Sequence, residues 1–444
     1  MTQPIGRARR SRLTLGTTVL SIAMLALTAC GPDTSGEAND DAEAVDFQGV
    51  EPAEEITFWT NHPGGSQDIE NELTEEFTEE TGIAVNVVTS GANYEETSQR
   101  FQTAQGNAEA DIVVLSDATW FPNYLNDSLM PVDDLLEAAD VDPSGYVEAL
   151  YEDYLYEGSH YGVPYARSTP LFYYNVDHYE EAGIEAPPET WEEVAEVSEQ
   201  LMDAGVANSA FAFPPQDQYP AWTMANLVWA YGGAWSDEWD FSPVSSNETV
   251  EALQFAQDAT NDWANVASGD PADDFSAGAA SQIIQSTGSL GGILESADFE
   301  VGTAFLPGGP AGEGQTPTGG AGLMIASDST PERQLAAAMF AGHMSSAEST
   351  AKFSQETGYV PVHVDADMSA VYEETPQFET AVDQLERARV QDNARLFVPG
   401  GDLELSQALQ NILTTDADVE ETMQNVQTEL ESLYESDLAG EVEN

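Results

Sequence analysis

The segment from Ile56 to Leu115 constrains the fold more than any other. Ile56-Thr57-Phe58-Trp59 reads as a strand. Ile69, Leu73 and Phe77 then recur at helical spacing, and Gly82 ends that helix. Ile83 to Val87 alternates as a strand, Asn93 to Gln105 is a second helix, and Ala110 to Leu115 is a third apolar run. Strand, helix, strand, helix, strand over about sixty residues is the opening of an α/β layer with parallel strands, because a parallel return needs a crossover. Ligands of such layers sit at the carboxyl ends of the strands. That rule places His62 to Gly65, Tyr94 and Ser116-Asp117 along one edge.

A second ordered stretch runs from Val163 to Val194. Pro164 favours extended chain, Leu171 to Asn175 reads as a buried strand, and His178 to Ala182 as a short helix stopped by Gly183. Pro187-Pro188 forces extension, and Thr190 caps a helix from Trp191, with Glu193 as the capping-box partner. Further on, Phe211 to Phe213 is a predicted strand, and Pro220 to Tyr231 and Val250 to Trp263 are predicted helices. Phe299 to Leu306 reads as a strand returning to the first layer, Thr316 to Ala326 as a Gly-rich loop and strand, and Pro331 to Met344 as a helix. Val419, Met423, Val426, Leu430 and Leu433 step by four and three along a helical tail.

The 444 residues suffice for two or three domains. Eighty acidic against eleven basic residues give a formal charge of -69, which argues against nucleic acid and anionic lipid as partners. A 41% hydrophobic content with eight Trp and sixteen Tyr argues for folded cores, so the acids read as a solvated face. Such a surface suits high salt, where screening removes self-repulsion, and a halophilic setting is expected.

Arg7, Arg9, Arg10 and Arg12 precede an apolar run from Leu13 to Leu27, the pattern of an export signal over residues 1–29. Leu27-Thr28-Ala29-Cys30-Gly31 looks like a lipobox, with Cys30, the single cysteine, as the acylated residue. Seven basic residues remain beyond it. Residues 30–54 are polar and acidic and read as a flexible tether. One cysteine forms no intramolecular disulfide.

Six pieces stand in order along the chain: Asn93-Tyr94-Glu95, Ser168-Thr169-Pro170 with Tyr173-Tyr174-Asn175, Thr190-Trp191, Ser286 to Leu290, Gly319-Gly320, and Thr357-Gly358-Tyr359. Together they resemble the family 1 extracellular solute-binding proteins, receptors of ABC sugar importers, and sit nearest to the family's glycerol-3-phosphate-binding receptors. The resemblance covers nearly all of the chain beyond the tether. It implies the two-lobed α/β fold of type II periplasmic binding proteins, with a ligand cleft between lobes. Lobe one would hold residues 55–163 and 302–362, and lobe two residues 164–301 and 363–440, with hinge crossings near Val163, Val301 and Val362. It also implies a ligand set of Tyr94, Asp117 (a glutamate in the relative), Ser168, Trp191, Ser286, Gly320 and Tyr359. The partners implied are a sugar or polyol and the permease subunits of an ABC importer, for a lipid-anchored, extracellular monomer. One departure matters. The relative clamps phosphate with an arginine in its last third, and here Arg395 stands a few positions too early. A dianionic phosphate needs charge-assisted donors, so a neutral saccharide or polyol is expected ahead of the alternative, a glycerol-3-phosphate or glycerophosphodiester receptor of the same fold.

The residues themselves suit a sugar. A carboxylate such as Asp117 accepts two hydroxyls, and Tyr or Trp offers a flat apolar face with a polar tip. Each has a plainer reading. Trp222, Trp229 and Trp235 suit a core, Ser286 a helix cap, Gly319-Gly320 a turn, and Tyr359 hinge packing. Arg167 is expected in a structural ion pair with a nearby acid, with ligand contact as the alternative. The five His show no metal-binding spacing, no nucleotide loop or nucleophile elbow occurs, and no cofactor or metal is expected. The rival classes are a secreted glycoside hydrolase, which needs one carboxyl held protonated in an apolar pocket, and an adhesive surface lipoprotein.

Overall fold

The computed structural model describes residue 47 and residues 49–442. The expected export signal, Cys30 and most of the expected tether lie outside the described residues. The end of that segment is not free chain, since Phe47 and Ala53 pack against the lobe-one core and the Ala53 amide donates to the Glu332 carbonyl at 2.9 Å. Ten strands build two five-stranded sheets: β1 Glu55–Thr60, β2 Ala84–Thr89, β3 Ile112–Ser116, β4 Val163–Ser168, β5 Pro170–Asn175, β6 Ser209–Phe213, β7 Ala264–Val266, β8 Ala280–Ser286, β9 Val301–Ala304 and β10 Gly319–Ile325. The first sheet runs β2-β1-β3-β10-β4, and the second β9-β5-β8-β6-β7. In the first, β1 is parallel to β2 and β3, while β10 runs antiparallel to β3 and β4. The parallel set expected from Ile56 to Leu115 is therefore present. Its crossover helices are Gln67–Thr81 and Tyr94–Ala104.

The two sheets centre two lobes, and the chain passes between them three times. The first crossing is Thr169, not Val163. Val163–Ser168 is buried throughout and pairs with β10, so it closes the first sheet, and β5 opens the second one residue later. The second crossing is also later than expected. Val301–Ala304 does not return to the first lobe but lies antiparallel to β5, with Val301 opposite Asn175. Gly302 permits this, since a Cβ there would come 2.2 Å from the Tyr174 ring. The return runs through residues 305–318. The third crossing, at Tyr359 to Val362, hangs on the Val360 amide, which donates to the Arg167 carbonyl at 2.9 Å.

Helices complete each lobe. Ile69, Leu73 and Phe77 bury the inner face of the first crossover helix, and Gly82 caps it in the left-handed conformation. Thr190 caps Trp191–Ala204, accepting from the Glu193 amide at 3.2 Å. The helix expected over Pro220 to Tyr231 is broken at Met224 into Pro220–Thr223 and Ala225–Tyr231. At the carboxyl end, Gly401–Thr414 and Val419–Asp437 pack together and onto Asn247–Thr260 of lobe two. Just before them, Phe397 sits against Trp120 and Phe121 of lobe one and Trp239 of lobe two, with ring centres 5.9, 4.8 and 6.1 Å away. This seam joins the lobes beside the cleft.

Candidate functional site

A cavity of about 310 Å³ opens between the lobes. Lobe one contributes Gly64, Tyr94, Glu95, Ser116, Asp117, Gly320 and Tyr359, and the crossing contributes Ser168. Lobe two contributes Tyr219, Trp222, Asp270, Gln285, Ser286, Gly288 and Ser289, and the carboxyl-terminal segment adds Arg395 and Asp402. The loops after β1 and β3 therefore meet the cleft where parallel sheets present their ligands.

Local sequence explains each placement. Asn93 caps the helix Tyr94–Ala104 by accepting from the Glu96 amide, which sets Tyr94 in the first turn at the rim. The Tyr94 hydroxyl lies 3.3 Å from that of Tyr359, whose ring stacks on Phe353. Burial pushes both phenols above their ordinary pKa, and each phenol raises or trims the other's further. Both stay neutral donors at physiological pH. Gly64 is required beneath them, because a Cβ there would stand 2.7 Å from the Tyr359 ring. Gly320 has φ +94, and a Cβ would meet the Ala166 carbonyl at 2.1 Å, so only glycine fits. Its carbonyl accepts from the Asp117 amide at 3.0 Å. Ser286 ends β8, and its hydroxyl accepts from the Gly288 amide at 3.1 Å. It is both cap and cavity wall.

The charged centre is a pair across the cleft. Arg395 Nη1 donates to Asp117 Oδ2 at 3.1 Å, and Arg395 Nε donates to Asp402 Oδ1 at 2.7 Å. Burial works against the guanidinium, but Asp117 and Asp402 outweigh it and hold Arg395 above its ordinary value. It is a permanent cation. The cavity wall holds this one base against the carboxylates of Glu95, Asp117, Asp270 and Asp402. Behind the wall, fully buried Arg167 pairs with Asp153 and donates to the Tyr154 hydroxyl at 2.6 Å. Arg167 is thus the structural ion pair expected from the scarcity of bases. Burial pushes the Asp153 carboxyl up to about 6, with Arg167 pulling the other way.

Six of the seven expected ligand residues, Tyr94, Asp117, Ser168, Ser286, Gly320 and Tyr359, line this one cavity. Trp191 does not. It is 1% exposed, its ring packs between Phe211 and Phe255, and its Nε1 donates to Asn226 Oδ1 at 3.0 Å. At the first position of a helix lying on the second sheet, its side chain enters the lobe-two core. The aromatic wall is instead Trp222, whose Nε1 donates to the Thr318 carbonyl at 2.8 Å, with Tyr219 beside it. Gly319 makes room for Trp222, since a Cβ would approach that ring to 2.6 Å. Trp229 and Trp235 are core, as their plainer reading held. Arg395 corrects a further expectation. Sequence position set it too early to meet a phosphate, yet the turn Asn393–Leu396 brings it into the cavity wall. Its scarcity as a base was the available signal. Tyr219 carried a weaker one, immediately before Pro220, where its φ of +54 reorients the chain.

Comparisons with known proteins agree with this geometry. Residues 72–380 match the family described as bacterial extracellular solute-binding protein. The chain is 38% identical to UgpB from Mycobacterium tuberculosis, solved in complex with glycerophosphocholine, with a TM-score of 0.81 over 87% of this chain and 99% of that one. It is 27% identical to the sn-glycerol-3-phosphate-binding periplasmic protein UgpB of Pectobacterium atrosepticum, over 78% of this chain and 82% of the relative. The GacH receptor of Streptomyces glaucescens, at 20% identity and a TM-score of 0.73 over 86% of this chain and 98% of that one, shares the fold. The chain belongs to the bacterial extracellular solute-binding proteins.

Proposed function

We propose that this protein is the solute receptor of an ABC importer and that its ligand is a glycerophosphodiester with a cationic head group. The observation that carries the reading is Arg395 in a cavity that otherwise holds carboxylates and aromatic rings. A phosphodiester carries one negative charge and needs a charge-assisted donor, which Arg395 supplies. Four carboxylates disfavour a dianion such as glycerol 3-phosphate, while they and the faces of Trp222 and Tyr219 favour a cation at the other end. Asp117 and Ser168 suit glycerol hydroxyls. The similarity to a receptor solved with glycerophosphocholine supports the same class. A neutral saccharide is the second reading. It is favoured by the prior pairing of Arg395 with both Asp117 and Asp402, which leaves no uncompensated cation in the wall.

The protein binds its ligand without transforming it, and closure of the lobes reports occupancy to the permease. We read Cys30 as its lipid anchor, residues 30–46 as its tether, and the receptor as an extracellular monomer. No described helix is long and apolar enough to cross a membrane. A thermal-shift panel at high salt with glycerophosphocholine, glycerol 3-phosphate and maltose tests the ligand class. Glycerophosphocholine should give the largest shift. A shift with maltose alone would transfer the proposal to saccharides, and turnover of any compound would replace it with an enzyme.

A further inference from the structure

Gln391 stands behind the cavity wall, yet it touches both members of the ion pair across the cleft. Its Nε2 donates to Asp117 Oδ2 and to the Thr318 carbonyl, each at 2.6 Å, and its Oε1 accepts from Arg395 Nη1 at 2.5 Å. These partners fix the amide's orientation. Two acceptors face the NH2 and a donor faces the oxygen, so a flipped amide would oppose all three. Gln391 is 4% exposed, which shields these bonds from bulk solvent.

The Thr318 carbonyl is itself a junction. It also accepts from Trp222 Nε1, while the Thr318 hydroxyl donates to Asp153 Oδ1 at 2.8 Å. Thr318 lies in the return between the lobes, one residue before β10. Gln391 therefore connects Arg395, the interlobe return and the buried Asp153–Arg167 pair. Asp402 holds Arg395 Nε on the other side. With Nε and Nη1 occupied, Nη2 is left without a hydrogen bond among the described residues.

We propose that Gln391 is the positioning residue for Arg395, holding the guanidinium against Asp117 so that Nη2 is presented to the ligand phosphate, and tying that pose to the interlobe return. The proposal rests on the phosphodiester reading. It is separate from the cavity contacts, since Gln391 is not among the lining residues.

Calorimetry with glycerophosphocholine on the wild type, Gln391→Met and Gln391→Glu, each with a melting curve, tests it. Both variants should stay folded and bind about tenfold or more weakly at neutral pH. In Gln391→Glu the new carboxylate would oppose Asp117 and the Thr318 carbonyl. Arg395 would attract it; the other charged groups joined to this network are Asp402 through Arg395, the Asp153–Arg167 pair through Thr318, and the Arg389–Asp392 pair that flanks it in sequence. Protonation on lowering the pH to about 5 restores one of the two donated bonds, so this variant's deficit against wild type should shrink in part while that of Gln391→Met persists. Loss through misfolding would not recover in this way. Binding of both variants within about twofold of a wild type that binds would overturn the positioning role alone, as would a Gln391→Glu deficit that stays constant with pH. A wild type that binds no glycerophosphocholine would overturn the phosphodiester reading first, and the positioning role with it.

Discussion

Asp117 and Arg395 stand 278 residues apart in sequence and meet across the cleft, Oδ2 to Nη1, at 3.1 Å. One follows the third strand of lobe one, and the other sits on a turn leading into the last helices of lobe two. Both are about 5% exposed or less. A pair this buried is costly to form and costly to break from one side. In the proposed reading, a ligand group in this interlobe cavity takes over part of the pairing while both lobes hold it.

Two tryptophans separate stability from binding. Trp191→Ala should destabilise the protein by about 3–5 kcal/mol, the usual cost of emptying a large core site, with ligand affinity little changed in the fraction that remains folded. Trp222→Phe keeps most of the ring but removes the bond to Thr318, and should weaken binding with a smaller change in melting temperature. The reverse pattern in melting and calorimetry would place Trp191 in the site.

How far the sequence could be read follows from the range of its signals. The parallel opening of lobe one was legible because apolar spacing is local, as Ile69, Leu73 and Phe77 illustrate. Gly320 and Tyr359 were legible through ordered motifs. Trp191 misled because a cap fixes where a helix begins, not which neighbour its first ring meets. Val301–Ala304 misled for a related reason, since a short apolar run does not say which sheet receives it. Arg395 was visible as a rare base, but its role depends on a partner 278 residues away. No local pattern encodes that distance.

Anchoring is tested at Cys30. Cys30→Ser should release the protein into the medium with its melting temperature unchanged, because the proposed anchor precedes Phe47, where packing against the lobe-one core begins, by seventeen residues. Retention of the variant at wild-type levels in the membrane fraction would count against lipid attachment.

Salt should stabilise the fold. With a formal charge of -69, self-repulsion opposes compactness. Raising ionic strength from about 0.1 M to about 1 M shortens the screening length from about 10 Å to about 3 Å, so the melting temperature should climb across that range. A flat or falling curve would remove the halophilic expectation.

Closure is visible by small-angle scattering. A ligand that touches both lobes binds the closed state better and shifts the population toward it. The radius of gyration should fall at saturation. An unchanged radius would mean that the cleft is already closed in the free protein or does not move, and the signalling mechanism proposed for the permease would fail.

The most direct measurement is isothermal calorimetry of glycerophosphocholine with the wild type and with Arg395→Gln. One ligand should bind per wild-type chain, and the variant should bind roughly ten- to a hundredfold more weakly, the worth of a charge-assisted hydrogen bond, while remaining folded. Equal binding by a folded variant, or no binding by the wild type at millimolar ligand, would contradict the assignment of this cleft to a phosphodiester.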